Sequence, residues 1–456
     1  MSSISKLTGK KVYLVGIKGV AMTSLAQCLA DLNIEVLGSD VAEDFVTEKI
    51  LADHNFTIFT DFTPEHISKD LALIIYTGAH QGANNVEVKR AKELGIPTMT
   101  HAAALGDLMQ GKRGISVCGT GGKSTTSAMI AWILESAGLQ PSYAIGVGNV
   151  TNLGRTGRYA AESEFFVAEA DEFAVDPTHD LRPRFIYQHP EVIVCTNLKY
   201  DHPDIYPTYE KMQDTFLSFF NTLPDGGLLV INGEDGELVK LCKQVRSGIK
   251  VIAVVESEAE SVVAKMTTSL LVAGDHNKRN AAAAYTVASS LGIEQSKILE
   301  ALASFQGTMR RFESKPELEG MLMFDDYAHT PEEIEATLGA LKDQYPEKQI
   351  IAVFQPHTYS RTKALFSGFS RSFSKADEVI LMDIYGSARE TADPSMSSEL
   401  LASAIEKNEI GKDVGVVHSF AELADTIRQV ASSDSCLITM GAGDVYKIHD
   451  QIRDGE

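Results

Sequence analysis

Residues 115–126 read Ile115-Ser116-Val117-Cys118-Gly119-Thr120-Gly121-Gly122-Lys123-Ser124-Thr125-Thr126. A short apolar run is followed here by a glycine-rich turn, and then by a helical pattern with Ile130, Ile133 and Leu134 on one stripe and Gly138 as its stop signal. Backbone N–H groups at the start of a helix attract phosphate, and the helix dipole adds to the attraction. The segment therefore predicts a strand, a phosphate-binding loop and a helix in an α/β fold.

The residue types in this loop suit a nucleotide. Glycines let the backbone approach the anion, Lys123 can reach the terminal phosphate, and the Ser124 hydroxyl can bind Mg²⁺. The spacing Gly-x-x-Gly-Lys-Ser is shorter than in the common nucleotide hydrolases, whose pattern would need a glycine at Val117. We assign nucleotide binding to the whole loop, which comprises Gly119, Thr120, Gly121, Gly122, Lys123, Ser124 and Thr125.

Length and charge limit the classes of protein to consider. A chain of 456 residues should form about three domains. It has 41 Lys and Arg residues against 62 Asp and Glu residues, which gives a net charge of −21, and its sequence contains no basic patch. An acidic surface repels nucleic acids and anionic membranes, so we expect neither as the main partner.

Cysteine usage and hydropathy predict the compartment. The five cysteines are scattered and form no C-x-x-C pair, which is typical of buried thiols in a reducing cytosol. No segment approaches the roughly 20 apolar residues of a membrane span. The first apolar run, Val12 to Val15, is too short for a signal peptide. We therefore expect a cytoplasmic protein.

The first region of the chain alternates strand and helix patterns and contains a second glycine turn. Its first strand ends at Gly16-Ile17-Lys18-Gly19-Val20-Ala21 and its second at Gly38-Ser39-Asp40, which is similar to the dinucleotide fingerprint with its acidic ribose contact. Lys18 stands where that fingerprint has its second glycine, and its charge suits a diphosphate. The spacing does not distinguish NAD from a UDP-sugar. We assign ligand contacts to Gly16, Lys18, Gly19, Val20, Ala21, Ser39 and Asp40.

Polar residues follow two further strands of the second region. Glu169 and Asp171 come after the run Phe165 to Val167, and either carboxylate can bind Mg²⁺. His202 follows the next strand, Val192 to Cys195, among oxygen donors. Ligands bind at the carboxyl ends of the strands in open α/β sheets. We therefore expect these side chains to meet the phosphate loop at one edge of a sheet.

The third region, which begins near Phe305, has five apolar strand candidates separated by helical patterns. These candidates are Met321 to Phe324, Ile350 to Phe354, Val379 to Met382, Val414 to Val417 and Cys436 to Thr439. Such alternation predicts a doubly wound parallel sheet.

Two clusters of polar residues follow strands of this third region. Thr330 and Glu333 form the pattern of a helix capping box, which leaves Asp326 and His329 available at a strand end. One strand later, His357 and Arg361 have the same placement and can bind a carboxylate or a phosphate.

Together these motifs resemble those of the Mur ligases, ATP-dependent enzymes that form amide bonds in peptidoglycan synthesis, over essentially the whole chain. The phosphate loop and the segments Glu169 to Glu172, Thr196-Asn197 and Asp201-His202 are similar to the family's nucleotide and metal segments. Gly274 to Ala281, Arg310 to Glu313 and Asp325 to His329 are similar to its adenosine, hinge and ribose motifs. Phe354 to Thr362, Ile384-Tyr385 with Ala388-Arg389-Glu390, and Gly441 to Asp444 are most similar to the branch that adds alanine.

The resemblance implies three α/β domains. The first is an N-terminal Rossmann-like domain for a UDP-sugar at residues 1–111. The second is a central P-loop ATPase-like domain with a mostly parallel sheet at residues 112–307. The third is a C-terminal Rossmann-like domain with a doubly wound sheet at residues 308–456, which would bind the amino acid. We expect a monomer or a homodimer.

The implied reaction joins L-alanine to the carboxylate of UDP-N-acetylmuramate through an acyl phosphate, with ATP and Mg²⁺. Lys123 would stabilise the transferring phosphoryl group, and Arg311 would act beside the phosphates when the domains close. The implied Mg²⁺ ligands are Ser124, Glu169 and His202. The implied nucleotide contacts are His276, Asn277, Asn280 and Asp326, and the implied substrate contacts are His329, His357 and Arg361.

Several positions depart from the family pattern. Gly121 replaces the loop histidine, Ser124 replaces a threonine, and Lys18 and Ala21 replace glycines of the first turn. Lys199 stands where an acid is usual, and a cation there could either weaken Mg²⁺ binding or change which carboxylate is recruited. These departures leave open a non-catalytic nucleotide-binding paralogue, although the loop lysine is retained.

The segment Phe173 to Pro190 is longer than expected for the alanine-adding branch. It is more similar to the branch that recycles murein tripeptide, which joins a ready-made peptide to the same UDP-sugar. That reaction is the main alternative. A nicotinamide-dependent dehydrogenase is a further alternative, but it leaves the Gly-Lys-Ser loop unexplained.

Overall fold

The computed structural model describes residues 2–202, 205–266, 270–272, 274–386, 392–409 and 412–454. The chain divides into two compact units. The first unit comprises Met1–Leu271 and Asn277–Thr308, and the second comprises Val272–His276 and Met309–Glu456. The first unit contains two large β-sheets and a hairpin, and the second unit contains one large sheet.

The first sheet is parallel throughout, and its strand order is β3-β2-β1-β4-β5. Its strands are β1 (Lys11–Val15), β2 (Glu35–Ser39), β3 (Thr57–Phe59), β4 (Leu71–Tyr76) and β5 (Thr98–Thr100). Its helices are α1 (Val20–Asp31), α2 (Glu48–Asp53), α3 (Val86–Glu93) and α4 (His101–Met109). Helix α1 buries Met22, Leu25 and Leu29 against the sheet, as their helical spacing requires.

The second sheet has the order β14-β13-β12-β6-β9-β7-β8 and is parallel except for the edge pair β7–β8. Its strands are β6 (Arg113–Cys118), β7 (Ser142–Ala144), β8 (Gly157–Arg158), β9 (Phe165–Glu169), β12 (Val192–Cys195), β13 (Leu228–Asn232) and β14 (Lys250–Val254). Strands β10 (Ala174–Asp176) and β11 (Asp180–Pro183) form a separate antiparallel hairpin. The helices are α5 (Lys123–Ser136), α6 (Tyr209–Phe220), α7 (Gly236–Cys242), α8 (Glu256–Ala264), α9 (Asp275–Ser290) and α10 (Gln295–Ala303).

The third sheet has the order β15-β16-β20-β17-β18-β19, with only the edge pair β15–β16 antiparallel. Its strands are β15 (Glu313–Leu318), β16 (Met321–Asp326), β17 (Gln349–Phe354), β18 (Glu378–Met382), β19 (Asp413–Val417) and β20 (Ser435–Met440). Its helices are α11 (Pro331–Gln344), α12 (Tyr359–Ala364), α13 (Phe366–Phe369), α14 (Ser398–Asn408), α15 (Phe420–Val430) and α16 (Ile448–Asp454).

Both faces of the third sheet are buried. Ile350 and Phe354 of β17 belong to one apolar cluster, whereas Ile351 and Val353 belong to another. Alternate residues of a strand point to opposite faces, so helices must cover both sides. The predicted doubly wound sheet is confirmed, and so is the α/β fold class with its mostly parallel second sheet.

Eight strands were not predicted from the sequence: β3, β7, β8, β10, β11, β13, β14 and β15. Strand β3 is only three residues long, and β15 is largely charged and carries Pro316, so neither shows an apolar run. The capping box of Thr330 and Glu333 is confirmed at the start of α11. The domain boundaries at residues 111 and 307 stay predictions. All five cysteines are buried and unpaired, as expected.

In the part of the chain that the structure describes, no helix combines the length and the apolar character needed to traverse a bilayer.

Candidate active site

The phosphate loop lies where three neighbouring strands end. Strand β6 leads into the loop and pairs with β9 on one side and with β12 on the other. In this register Val117 is opposite Glu169, and Cys118 is opposite Cys195. The residues that follow β9 and β12 therefore emerge beside the loop, and the predicted convergence at one sheet edge is confirmed.

Glycine is required at two positions of the loop. Gly119 has φ +123° and Gly122 has φ +83°, which are conformations that other residues rarely adopt. A Cβ on Gly119 would overlap the hydroxyl of Thr196, and a Cβ on Gly122 would lie 2.8 Å from Asn280 Oδ1. The loop is therefore packed against β12 and helix α9, and its backbone path depends on glycine.

Side chains that follow β12 hold the loop in place. The Asn197 carboxamide accepts a hydrogen bond from the Gly121 N–H at 3.0 Å and donates one to the Gly121 carbonyl at 2.9 Å. Thr120 Oγ1 exchanges hydrogen bonds of 2.8 and 3.0 Å with the main chain of Lys199. Lys199 thus contacts the loop through its backbone, and the residue itself is exposed.

Lys123 is the first residue of α5, and its ammonium group lies inside the loop. Its Nζ donates to the Gly119 carbonyl at 2.7 Å and lies 3.0 Å from both carboxylate oxygens of Glu172. Burial opposes the charged form of Lys123, but nearby carboxylates, chiefly Glu172, raise its pKa. Burial raises the pKa of Glu172 to about 7, although Lys123 opposes this shift. The sequence analysis assigned Lys123 but missed Glu172.

A group of potential metal ligands lies beside this ion pair. Glu172, Asp201 and His202 each offer a ligand atom, and these atoms lie within 4.8 Å of one another. Of the predicted set, His202 belongs to this group. Ser124 is buried at the start of α5, and Glu169 Oε1 accepts a hydrogen bond of 2.7 Å from the Gly146 N–H. The roles of all three as metal ligands stay predictions.

Asp171, the other acid considered after β9, has a different partner. Arg184 donates to its carboxylate at 2.7 Å, and the Phe173 N–H donates to it at 3.0 Å. Burial opposes ionisation of Asp171, yet Arg184 and Lys123 lower its pKa to about 2. Arg184 lies in the longer segment Phe173 to Pro190, so this segment is anchored next to the site.

The hairpin of that segment also contacts the first sheet. Asp176 in β10 accepts a hydrogen bond of 2.9 Å from the Ala83 N–H, and a Cβ on Gly82 would overlap its carboxylate. His179 Nδ1 lies 3.0 Å from Asp176 Oδ2. The turn that contains Ala83 follows β4, so the hairpin reaches the carboxyl edge of the first sheet.

The predicted adenosine segment is divided between the two units. Asn277 and Asn280 belong to the first unit, where Asn280 Nδ2 donates to Asn277 Oδ1 at 3.1 Å and where Asn280 adjoins Gly122. Both residues are buried, and Asn280 is the one that lies against the loop. His276 belongs to the second unit, where its ring lies against Gly274.

The glycine turn of the first sheet is closed by polar contacts. Gly16 has φ +85°, and a Cβ there would overlap the Thr77 side chain. Asp40 accepts a hydrogen bond of 2.8 Å from the Lys18 N–H, and the Lys18 ammonium lies 2.8 Å from Glu48 Oε1. The Lys18 charge that the sequence analysis assigned to a diphosphate is therefore already paired.

The remaining predicted residues of this turn lie around the start of α1. Gly19 precedes the helix, Val20 begins it, and the Ala21 carbonyl lies 3.1 Å from His101 Nε2. Ser39 ends β2 and donates to the buried Glu87 carboxylate at 2.5 Å. The structure brings these residues together at the carboxyl ends of β1 and β2, and their contact with a ligand stays a prediction.

In the second unit, Asp326 ends β16 and is buried. It accepts hydrogen bonds from the Phe312 N–H at 2.6 Å and the Ala328 N–H at 2.8 Å. Burial raises its pKa to about 6, although Arg311 opposes this shift. The Arg311 guanidinium lies 5.2 Å from the centre of the Tyr327 ring. Arg311 and Asp326 therefore lie close together.

His329, His357 and Arg361 also lie at strand ends of the second unit. His329 Nδ1 lies 3.0 Å from the Tyr327 carbonyl. The His357 ring stacks on Tyr385 with centroids 5.6 Å apart, and Arg361 Nη1 lies 3.4 Å from His357 Nδ1. The segment Ala388-Arg389-Glu390 lies outside the described residues.

Arg310, which the sequence analysis did not select, is the buried residue of its motif. Its guanidinium donates to Asp325 at 3.0 Å and to the carbonyls of Gly443 at 2.9 Å and Gly441 at 2.6 Å. It lies 4.5 Å from the centre of the Tyr446 ring. Arg310 therefore links the segment just before β15 to the glycine residues Gly441 and Gly443 that follow β20.

Three segments of the chain match sequence profiles of one family. Residues 11–113 match the Mur ligase family catalytic domain, residues 117–288 match the Mur ligase middle domain, and residues 310–443 match the Mur ligase glutamate ligase domain.

Full-length relatives and solved structures are also similar to the chain. It is 36% identical to a UDP-N-acetylmuramate–L-alanine ligase of Desulfitobacterium hafniense, covering 96% of this chain and 98% of the relative. It is 36% identical to the enzyme of that name from Clostridium novyi, covering 97% of each. The crystal structure of a UDP-N-acetylmuramate-alanine ligase from Thermotoga maritima matches with a TM-score of 0.78 at 22% identity, covering 98% of each chain. A murein peptide ligase from Psychrobacter arcticus matches with a TM-score of 0.67 at 21% identity, covering 98% of each chain.

Proposed function

The chain belongs to the Mur ligase family, and from that premise we propose that it is the ligase that joins L-alanine to the carboxylate of UDP-N-acetylmuramate at the expense of ATP. The relatives that carry this activity in their names match the chain over nearly its full length. The structural observation that carries the proposal is the phosphate loop at the shared edge of β6, β9 and β12, with Lys123 inside it.

The donor atoms beside the loop fit Mg²⁺. Glu172 and Asp201 supply hard carboxylate oxygens, and His202 adds an imidazole within the same group. Ser124 and Glu169 are the other side chains that we propose as ligands. When bound, Mg²⁺ would neutralise phosphate charge and polarise the transferred phosphoryl group.

The proposed reaction consists of two transfers. An oxygen of the muramate carboxylate attacks the γ-phosphorus of ATP, and ADP leaves with the bridging oxygen, which gives an acyl phosphate. The amine of alanine then attacks the acyl carbon and loses a proton, and inorganic phosphate leaves with the oxygen that joined it to that carbon. Lys123 would neutralise negative charge on the phosphates during the first transfer.

The other residue assignments are proposals about binding. Asn280 adjoins the loop and is hydrogen-bonded to Asn277, and we propose that both contact the nucleotide, together with His276 and Asp326. Arg311 is proposed to act beside the phosphates. The carboxyl edge of the first sheet would bind the UDP-sugar, and His329, His357 and Arg361 would bind substrate carboxylates. Five buried free thiols suit the reducing cytoplasm, which we propose as the compartment.

One observation favours the tripeptide-recycling reaction as a second candidate. The segment Phe173 to Pro190 contains the β10–β11 hairpin, whose Asp176 contacts the turn after β4, and Arg184, which follows the hairpin and pairs with Asp171. A hairpin at this place can alter the space available to a substrate. The test must therefore offer both amines to the protein.

Phosphate release is the assay that distinguishes these candidates. The protein receives UDP-N-acetylmuramate, ATP and Mg²⁺, with L-alanine in one set and L-Ala-γ-D-Glu-diaminopimelate in the other. We expect alanine-dependent release that falls at least about 100-fold in Lys123→Ala. Lys240→Ala, which removes an exposed lysine on α7, is the control and should keep full activity.

The other two outcomes of the phosphate-release assay would change the assigned function. Release with the tripeptide alone would assign the recycling reaction to this chain. Release with neither amine, from a folded protein, would overturn the ligase proposal and favour a non-catalytic paralogue.

A further inference from the structure

All the hydrogen-bonding capacity of the Lys123 ammonium group is used within the protein. Its three N–H bonds face the carbonyls of Gly119 at 2.7 Å and Thr120 at 3.4 Å and the two oxygens of Glu172 at 3.0 Å. Because all three N–H bonds of Lys123 already have acceptors, none is left to bind a phosphate. Lys123 must therefore give up a partner before it can bind a nucleotide.

Glu172 is the partner whose loss has the largest consequence. Its side chain is 1% exposed, so its carboxylate has almost no contact with water. A buried charge that loses its counter-ion is strongly destabilising. The Tyr206 hydroxyl donates a hydrogen bond of 2.5 Å to the Glu172 carbonyl, which holds the main chain in place. If Lys123 leaves, Glu172 must either take up a proton or pair with another cation at the same position.

The surroundings of Glu172 provide for such a cation. Asp201 and His202 offer ligand atoms within 4.8 Å of one another and of a Glu172 oxygen. Two carboxylates and an imidazole form a donor set that binds divalent cations. Glu172 thus belongs to two groups at once, an ion pair with Lys123 and a potential cation site with Asp201 and His202.

We propose that Glu172 is a positioning residue that exchanges partners, pairing with Lys123 in the free protein and with a divalent cation once nucleotide phosphates have taken Lys123. The inference rests on the proposed use of ATP. The exchange of partners makes the binding of the nucleotide and the binding of the cation depend on each other, because both involve the Glu172 side chain. Without a cation, a nucleotide that takes Lys123 leaves Glu172 either charged without a counter-ion or protonated, and either change weakens nucleotide binding.

The test measures affinity for the β,γ-imido analogue of ATP by calorimetry, first with EDTA and then with saturating Mg²⁺. Glu172→Gln removes the charge that competes for Lys123. We expect it to bind the analogue about tenfold more tightly than the wild type in EDTA, and to gain less affinity from Mg²⁺. Glu191→Gln, which removes a carboxylate paired with Arg113 on the same sheet, should behave as the wild type.

A second variant tests the other half of the exchange. Asp201→Asn leaves the Lys123–Glu172 pair intact but weakens the cation group. We expect unchanged affinity in EDTA and a smaller gain from Mg²⁺. This variant keeps the test decisive if Glu172→Gln does not fold.

Two results would overturn the exchange. Equal or weaker binding by Glu172→Gln in EDTA would show that Glu172 does not compete for Lys123. An undiminished gain from Mg²⁺ in Asp201→Asn would show that the cation does not use this group. In both cases the wild type still binds the analogue, and the proposed function stands. If the wild type binds no analogue under either condition, both proposals fail.

Discussion

The Asn197 carboxamide forms two hydrogen bonds with the main chain of Gly121, one in each direction. Gly121 stands where the resemblance drawn from the sequence implies a histidine. The middle of the loop is therefore held by a side chain from the neighbouring strand end. This contact links the geometry of the loop to the segment that contains Asp201 and His202.

Asn197→Ala should destabilise the first unit. Both loop contacts are lost, although Thr196 still donates to the Gly121 carbonyl. We expect the free energy of unfolding to fall by about 1–2 kcal/mol, measured by chemical denaturation. Asn197→Asp keeps the acceptor for the Gly121 N–H and should lose less. An alanine variant as stable as the wild type would show that the loop does not depend on this tether.

Gly122→Ala should weaken nucleotide binding specifically. Gly122 and Gly138 have nearly the same backbone angle, φ +83° and +82°. Alanine at either position should cost about 1 kcal/mol of stability because of that angle. Only at Gly122 would the added Cβ crowd Asn280, whereas nothing lies within 4 Å at Gly138. Calorimetry should show reduced affinity for the ATP analogue in Gly122→Ala alone, and equal affinities in the two variants would contradict the packing argument.

His449 should make the second unit sensitive to acid. Thr439 Oγ1 donates to Asp325 at 2.7 Å, so it accepts from His449 Nε2 at 2.8 Å. His449 Nδ1 is buried and has no hydrogen-bond partner among the described residues. Burial lowers the pKa of His449 to about 4.

The unfolded state therefore binds more protons than the folded state between pH 6.5, the ordinary pKa of histidine, and pH 4. Stability that is present above pH 6.5 is lost as the pH falls through this window, by at most about 3 kcal/mol. His449→Gln should remove this part of the pH dependence in denaturation measured at several pH values. Parallel pH profiles for the variant and the wild type would refute the assignment.

Arg310→Ala should be severely destabilising. The substitution leaves Asp325 fully buried without its cation and leaves the Gly441 and Gly443 carbonyls without a donor. We expect a loss of about 3–5 kcal/mol in the denaturation of the second unit. Arg371→Ala removes an exposed arginine from the same unit and should change stability little. Similar losses in the two variants would show that the Arg310 network is unimportant.

The phosphate loop could be predicted because its signal is local. A strand, glycines that allow left-handed backbone and a helix that begins with Lys123 follow one another within a dozen residues. The residues that follow β9 and β12 could be expected at the same edge because the carboxyl ends of neighbouring parallel strands lie on one side of the sheet. The strand order itself was not predicted.

Contacts that depend on side-chain direction could not be predicted. Spacing offered Glu169 and Asp171 as candidate acids after β9, but it is the unselected Glu172 that pairs with Lys123, and Asp171 is held by Arg184. In the same way, Arg310 is buried and Arg311 is only half-buried, and Arg310 has a left-handed backbone with φ +59°. No pattern in the sequence reports such a local reversal of direction.

The most direct test of the central claim follows oxygen through the reaction. UDP-N-acetylmuramate carrying heavy oxygen in its carboxylate is incubated with the protein, ATP, Mg²⁺ and L-alanine, and the products are weighed by mass spectrometry. We expect an alanyl product in amide linkage and one heavy oxygen in each released phosphate. A folded protein that forms no alanyl product, or that releases only unlabelled phosphate, would contradict the proposed reaction.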